Sequence, residues 1–79
     1  MADVADPIDV HVGARLRGRR KELGLSQSDA GRSLGCTFQQ IQKYERGANR
    51  ISASALWKLA GLLEVEVGYF FGGLAPWEA

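Results

Sequence analysis

The feature that most constrains the fold is the spacing of helix caps and glycines between Ser26 and Gly47. Ser26 predicts the start of a short helix that ends at Gly35, and Thr37 predicts the start of another, which ends at Gly47. A joint this short holds two helices at a steep angle and needs a small residue, here Gly31, where they cross. The side chains that would lock the pair together are Ala30, Leu34, Cys36, Ile41 and Tyr44.

Helical patterns flank this pair on both sides. Asp6-Pro7 predicts the start of a preceding helix, because aspartate caps free N–H groups and proline fits the first helical position, and Gly24 ends that helix. Ser52 or Ser54 caps a fourth helix. The apolar stripes of these two helices are Ile8, Val12, Leu16 and Leu23, and Leu56, Leu59, Ala60 and Leu63.

The whole pattern predicts one all-α domain of five helices, the last of which holds an aromatic cluster and ends at Gly72-Gly73. The expected boundaries are a flexible arm at residues 1–6, the folded domain at 7–73 and a tail at 74–79. The N-terminus has acidic residues where a signal peptide has basic ones, and no apolar run approaches about 18 residues. We therefore expect a cytoplasmic protein without a membrane segment.

Basic residues are concentrated in the middle of the chain, although the net charge is only +1. Residues 15–50 carry nine Lys or Arg and three acids, a net charge of +6, whereas residues 1–14 carry three acids and no Lys or Arg. A basic centre suits contact with a phosphate backbone, and the alternative is a solvated, charged helix face.

Few side chains in the sequence are of the types that form disulfides, bind metals or act as catalytic nucleophiles. Cys36 is the single cysteine and His11 the single histidine, so the chain has no intrachain disulfide and offers neither a metal-ligand set nor a nucleophile–base pair. We therefore predict no metal, no cofactor, no small-molecule ligand and no enzymatic activity.

The helix that follows Thr37 presents a polar face, since Ile41 and Tyr44 point to the core. Glutamine can pair with N6 and N7 of adenine, lysine can donate to guanine, and phenylalanine can contact a thymine methyl group. Free N–H groups at helix starts bind phosphate, which indicates Gln27 and Thr37 as phosphate contacts. The residues predicted to read bases are Phe38, Gln39, Gln40, Gln42 and Lys43, with packing on the core as the alternative for Phe38.

The stretch LSQSDAGRSLGCTFQQIQKYERG resembles the Cro/C1-type helix-turn-helix domains, also called the XRE family. The lead-in ARLRGRRKELGLSQ and the later ALWKLAGLLEV with YFF are similar to the family's first and last helices, so the resemblance covers roughly Val12 to Phe71. The sequence departs from the family in two places. Ala30-Gly31 replaces a large aliphatic residue followed by alanine, and Phe38 replaces a residue that is commonly polar.

The resemblance implies a role for several residues. Gln27 would contact a phosphate, and Asn49 and Arg50 would touch the DNA backbone from the loop after the recognition helix. Arg20 and Glu45 would form a structural salt bridge between the first and third helices. The base-reading positions implied by the resemblance are Phe38, Gln39 and Lys43, with Gln40 and Gln42 beside them.

Together these observations predict a sequence-specific regulator of transcription that binds double-stranded DNA, in the simplest case a repressor. One domain makes few contacts, so we expect a homodimer on a palindromic operator. The alternatives are an antitoxin-type protein-interaction module with autoregulatory DNA binding, and the excised DNA-binding domain of a longer regulator. The aromatic residues predicted to form a dimer surface, with core packing as the alternative, are Tyr69, Phe70, Phe71 and Trp77.

Overall fold

The computed structural model describes residues 5–77, which form four α-helices and one 3₁₀ helix and contain no strand. The elements are α1 (Pro7–Glu22), α2 (Gln27–Leu34), α3 (Phe38–Glu45), α4 (Ala53–Leu63) and the 3₁₀ helix Val67–Phe71. Residues 1–4 of the predicted arm and 78–79 of the predicted tail lie outside the described part. No helix in the described part is both long and apolar enough to cross a membrane.

The four α-helices begin at the caps that the sequence predicts. Ser26 has the strongest arrangement, because its hydroxyl accepts from Asp29 N at 2.9 Å while its own N–H donates to the Asp29 carboxylate at 2.8 Å. The joint between α2 and α3 turns at Gly35, whose φ of +70° suits glycine. The four residues whose side chains cap α1 to α4 are Asp6, Ser26, Thr37 and Ser52.

The fifth predicted helix is a 3₁₀ helix of five residues instead of an α-helix. Its N-cap Glu66 makes no side-chain capping hydrogen bond, and Val67 and Gly68 have low helix propensity. The segment is anchored by Phe70, whose side chain is 0% exposed in the core. The prediction that Phe70 belongs to a dimer surface is therefore wrong.

The core lies among α1, α2, α3 and α4 and is closed by the 3₁₀ helix. Ile8, predicted to lie on the core stripe of α1, is 46% exposed because the core begins one turn later, at Val12. The buried apolar residues are Val12, Leu16, Ala30, Ile41, Ile51, Leu56, Leu59, Ala60, Leu63 and Phe70.

Two glycines allow the helices to approach one another closely. A Cβ atom on Gly31 would lie 2.6 Å from the carbonyl oxygen of Cys36. Helix α2 can therefore lie this close to the turn only because residue 31 has no side chain. A Cβ atom on Gly13 would lie 2.8 Å from the carbonyl oxygen of Glu45, which places α1 directly against the end of α3. Helical spacing predicted the role of Gly31 but not that of Gly13.

A row of three side chains on α1, here called the α1 row, fastens the C-terminal part of the chain. Its members are His11, Arg15 and Arg19, which share one helix face because they are four residues apart. The guanidinium of Arg15 also lies 3.9 Å from the ring centroid of Tyr69, which is half-buried beneath it. The row donates to three carbonyl oxygens: His11 Nε2 to Gly72 at 2.6 Å, Arg15 Nε to Tyr69 at 2.9 Å and Arg19 Nε to Leu63 at 2.9 Å.

Candidate nucleic-acid interface

Helix α3 turns one side to the core and the other to solvent. Ile41 is fully buried and Tyr44 is half-buried, so both side chains hold the helix against the domain. Phe38, at the start of the helix, is 44% exposed. Among the residues predicted to read bases, Phe38, Gln39 and Lys43 are exposed, and Gln40 and Gln42 are half-buried at the edges of the face.

The loop after α3 is folded back onto the same face. Gln40 Nε2 donates to Asn49 Oδ1 at 3.2 Å, and Ala48 N donates to the carbonyl oxygen of Lys43 at 2.9 Å. The predicted base-reading helix and the predicted backbone-contacting loop therefore form one continuous polar surface.

A buried ion pair holds the end of α3 to α1. Arg20 Nε and Nη2 donate to the two carboxylate oxygens of Glu45 at 2.6 and 3.0 Å, and the two side chains are 9% and 3% exposed. The hydrogen bond from Arg20 to Glu45 raises the pKa of Arg20, which keeps the guanidinium charged inside the domain. Gln27 Nε2 also donates to Glu45 at 3.0 Å. One carboxylate thus joins α1, the start of α2 and the end of α3.

Gln27 and Thr37 stand at the starts of α2 and α3, where backbone N–H groups are free. Thr37 Oγ1 accepts from Gln40 N at 3.2 Å, so the hydroxyl hydrogen stays available to donate. The amide of Gln27 gives one N–H to Glu45 and retains a second. Each side chain can therefore donate to an anion without losing the contact that positions it.

Two arginines that the sequence did not single out as site residues lie beside this pair. Arg17 and Arg46 line a cleft of about 320 Å³ together with Gln27, Gln42 and Glu45. Both arginine side chains are exposed and belong to the basic middle of the chain. The position of Arg46 directly after the recognition helix was the signal that could have identified it.

Arg50, implied by the resemblance to contact the DNA backbone, has acidic partners within the domain. Its Nε lies 3.1 and 3.2 Å from the carboxylate oxygens of Asp9, and its Nη2 lies 3.6 Å from Asp6 Oδ2. The hydrogen bond to Asp9 and the charges of both acids raise the pKa of Arg50. The Arg50 side chain is still 72% exposed, whereas that of Asp9 is 16% exposed. A phosphate would therefore compete with Asp9 for Arg50.

Large aromatic side chains outside α3 are also exposed. Of the predicted dimer candidates, Phe71 is 41% exposed and Trp77 is 87% exposed. Trp57 of α4, which was not singled out, is 74% exposed. Trp57 directly follows Leu56 of the apolar stripe of α4, and this position outside the stripe could have predicted its exposure.

The sequence and fold match known regulators. A helix-turn-helix family model matches residues 16–70. An HTH-type transcriptional regulator of Sinorhizobium medicae (strain WSM419) is 58% identical over 78 residues, covering 90% of this chain and 56% of that protein. A transcriptional regulator in the ATPase CF(0) region of Rhodospirillum rubrum is 55% identical over 67 residues, covering 85% of this chain and 62% of that protein. The chain thus spans a little over half the length of these curated relatives.

Solved structures share the arrangement of helices. The restriction–modification controller protein C.AhdI from Aeromonas hydrophila superposes with a TM-score of 0.73 at 34% identity, over 78% of this chain and 94% of that one. The clp gene regulator ClgR from Corynebacterium glutamicum shares the fold with a TM-score of 0.79 at 19% identity, over 86% and 72% of the two chains. Family members are transcriptional regulators and not enzymes. On its paired helices α2 and α3 and these matches, the chain belongs to the Cro/C1-type (XRE) helix-turn-helix family of DNA-binding transcriptional regulators.

Proposed function

We propose that the chain regulates transcription, in the simplest case as a repressor, by binding a palindromic operator as a homodimer. The observation that carries this proposal is the exposed polar face of α3, which the buried pair of Arg20 and Glu45 holds in a fixed orientation. A rigid helix that presents glutamine and lysine side chains suits base reading in a major groove. This function places the protein in the cytoplasm, where the DNA is.

Each exposed side chain of α3 has a base that suits it. Gln39 can pair with adenine, Lys43 can donate to guanine, and Phe38 can contact a thymine methyl group. Gln40 and Gln42 flank these three residues. The hydrogen bond from Gln40 to Asn49 restricts the positions that the Gln40 amide can take.

Phosphate contacts surround this face and fix its register on the duplex. Gln27 and Thr37 offer free donors at the helix starts, and Asn49 and Arg50 lie on the loop after α3. The cleft lined by Arg17 and Arg46 adds two positive charges beside Gln27. These contacts account for affinity, whereas α3 accounts for sequence preference.

The dimensions of the domain suit a two-fold arrangement. The described part of the chain measures 36 × 32 × 21 Å, a size at which two copies side by side can reach half-site centres one helical turn of DNA, about 34 Å, apart. Two copies of helix α3 that are related by a two-fold axis recognise an inverted repeat. This correspondence supports a palindromic operator.

Selection from a randomised duplex pool, followed by sequencing, tests the proposal. We expect an inverted repeat whose half-site centres are about 10 base pairs or a multiple apart, bound with steep salt dependence. Enrichment of one unrepeated half-site would contradict the homodimer. Salt-dependent binding without enrichment of any sequence would contradict sequence-specific regulation.

A further inference from the structure

Phe38 is an apolar side chain on the otherwise polar exposed face of α3. Among the large apolar side chains that are exposed in residues 5–77, it is the one that belongs to α3. It is part neither of the buried core nor of the half-buried side chains that pack against that core. Packing within the domain therefore does not account for a phenylalanine at this position.

Phe38 also occupies the part of α3 that is best placed to meet a base. It is the first residue of the helix and directly follows the cap Thr37. The N-terminal residues of a recognition helix are the ones that contact base edges in the major groove. A phosphate contact by Thr37 therefore brings the ring of Phe38 to the bases next to that phosphate.

A phenyl ring has neither a donor nor an acceptor, which limits what it can recognise. Base edges in the major groove carry hydrogen-bond donors and acceptors, and their apolar group is the C5 methyl of thymine. A ring that covers a donor or an acceptor removes its water and gives no hydrogen bond in return, which costs free energy. The favourable partner for Phe38 is therefore a methyl group on C5 of a pyrimidine.

The neighbouring polar side chains read a different kind of information. Gln39 and Lys43 are exposed and can pair with the hydrogen-bonding groups of adjoining bases. The amide of Gln40 is held by its hydrogen bond to Asn49. The recognition of a methyl group by Phe38 is thus separable by mutation from the recognition of polar groups by Gln39.

We propose that Phe38 makes operator binding depend on a C5 methyl group, so that 5-methylcytosine is accepted in place of thymine at one base pair of each half-site. The methyl group of 5-methylcytosine lies on the same ring atom as that of thymine. Phe38 forms no hydrogen bond by which to distinguish O4 of thymine from N4 of cytosine. Methylation of a cytosine at this position thereby raises the affinity for the site. The inference rests on the proposed binding of operator DNA by α3 and names a form of regulation for it.

Single replacements of thymidine by deoxyuridine test the contact, because uracil keeps the hydrogen-bonding groups of thymine and lacks only the methyl group. On the operator that selection enriches, one such replacement per half-site should stand out. It should weaken binding about fourfold, as expected for one buried methyl group, and about fifteenfold when made in both half-sites. Fluorescence anisotropy at one fixed salt concentration measures these ratios, since salt alone changes affinity.

Two variants assign the ratio to its residue. Phe38→Ala should bind the thymine and uracil operators equally, and circular dichroism verifies that this exposed substitution leaves the domain folded. Gln39→Ala is the matched control from the same face, and it should bind both operators more weakly while keeping the fourfold ratio. A uracil effect that survives Phe38→Ala would overturn the inference.

Replacement of the uracil-sensitive T·A pair by C·G, with and without a methyl group on C5 of the cytosine, tests the second part. The wild-type chain should bind the methylated duplex about fourfold more tightly, and Phe38→Ala should bind the two equally. Equal wild-type affinities, or a selected half-site without a uracil-sensitive thymine, would overturn the inference and leave sequence-specific binding intact. A selection that enriches no sequence would overturn the proposed function as well.

Discussion

Gly13 of α1 lies directly against the backbone of Glu45, where a Cβ atom would come within 2.8 Å of the carbonyl oxygen. The side chain of Glu45 also holds Arg20 of the same helix. The end of the recognition helix is therefore held to α1 by contact at its backbone and by charge at its side chain.

Gly13→Ala should lower the free energy of unfolding by about 1–3 kcal/mol, because α1 must move away from rigid backbone. Gly18→Ala is the control on the same helix, since its Cβ atom meets nothing within 4 Å. It should raise the free energy of unfolding by about 0.5–1 kcal/mol through helix propensity. Urea unfolding compares the two, and equal effects would contradict the close crossing.

Arg20→Met and Glu45→Met should each cost about 3–5 kcal/mol of stability, because either change leaves a buried charge without its partner. The double variant should cost clearly less than the sum, since no unpaired charge remains. Arg32→Met is the control, because Arg32 pairs with Asp29 on an exposed helix surface, where such pairs contribute at most about 1 kcal/mol. Additive losses in the double variant would contradict a coupled pair.

Gln39→Ala should lose about 1–3 kcal/mol of binding free energy on the selected operator and almost none on unrelated duplex. The reason is that an amide paired to a base edge contributes only where that base is present. Fluorescence anisotropy with both duplexes at one salt concentration measures the difference. An equal loss on both DNAs would remove Gln39 from the base-reading set.

Asp9→Asn should strengthen DNA binding, because Arg50 then loses its main intramolecular partner and is free for a phosphate. Arg50→Ala should weaken binding to all sequences and reduce the salt slope by about 1. In the Arg50→Ala background, Asp9→Asn should have little further effect.

Glu22→Gln controls for the change in net charge, since Glu22 lies at the other end of α1. If it strengthens binding as much as Asp9→Asn, the effect is general electrostatics. Weaker binding by Asp9→Asn would mean that Asp9 positions Arg50 for the phosphate instead of competing for it.

Asp29 makes the free energy of unfolding depend on pH in the acidic range. The backbone N–H and hydroxyl of Ser26, together with Arg32, lower the pKa of Asp29 below its ordinary value of 3.8. Because the folded pKa is the lower one, this stabilisation is complete above the ordinary value and is lost as the pH falls through the folded pKa. Asp29→Asn should thus destabilise the domain at pH 6 and change its stability less at pH 3, as measured by urea unfolding. A difference that is the same at both pH values would exclude the carboxylate as the cause.

The sequence predicted the elements that depend on local chemistry. Ser26, Thr37 and Ser52 start helices because each side chain bonds to N–H groups within its own first turn, and Gly35 ends a helix through its own φ. The pair of Arg20 and Glu45 was accessible only through the resemblance, because 25 residues separate its members.

Contacts between distant parts of the chain were not predictable from spacing. The bonds from Arg50 to Asp9 join residues 41 positions apart, and the role of Gly13 depends on which helix crosses it. In the aromatic cluster, a 3₁₀ turn has no 3.6-residue period to show that Phe70 points inward while Phe71 remains on the surface.

The α1 row recognises the C-terminal part of the chain through main-chain carbonyl oxygens, which every amino acid carries. The specificity of these three hydrogen bonds therefore comes from His11, Arg15 and Arg19 and from the path of the backbone, not from the side chains of the acceptor residues. A substitution at an acceptor position keeps its carbonyl oxygen and so keeps the hydrogen bond, although Leu63 also contributes a buried side chain and Tyr69 the ring beneath Arg15. A change in the row removes such a bond outright, whereas a change at an acceptor position removes it only by moving the backbone.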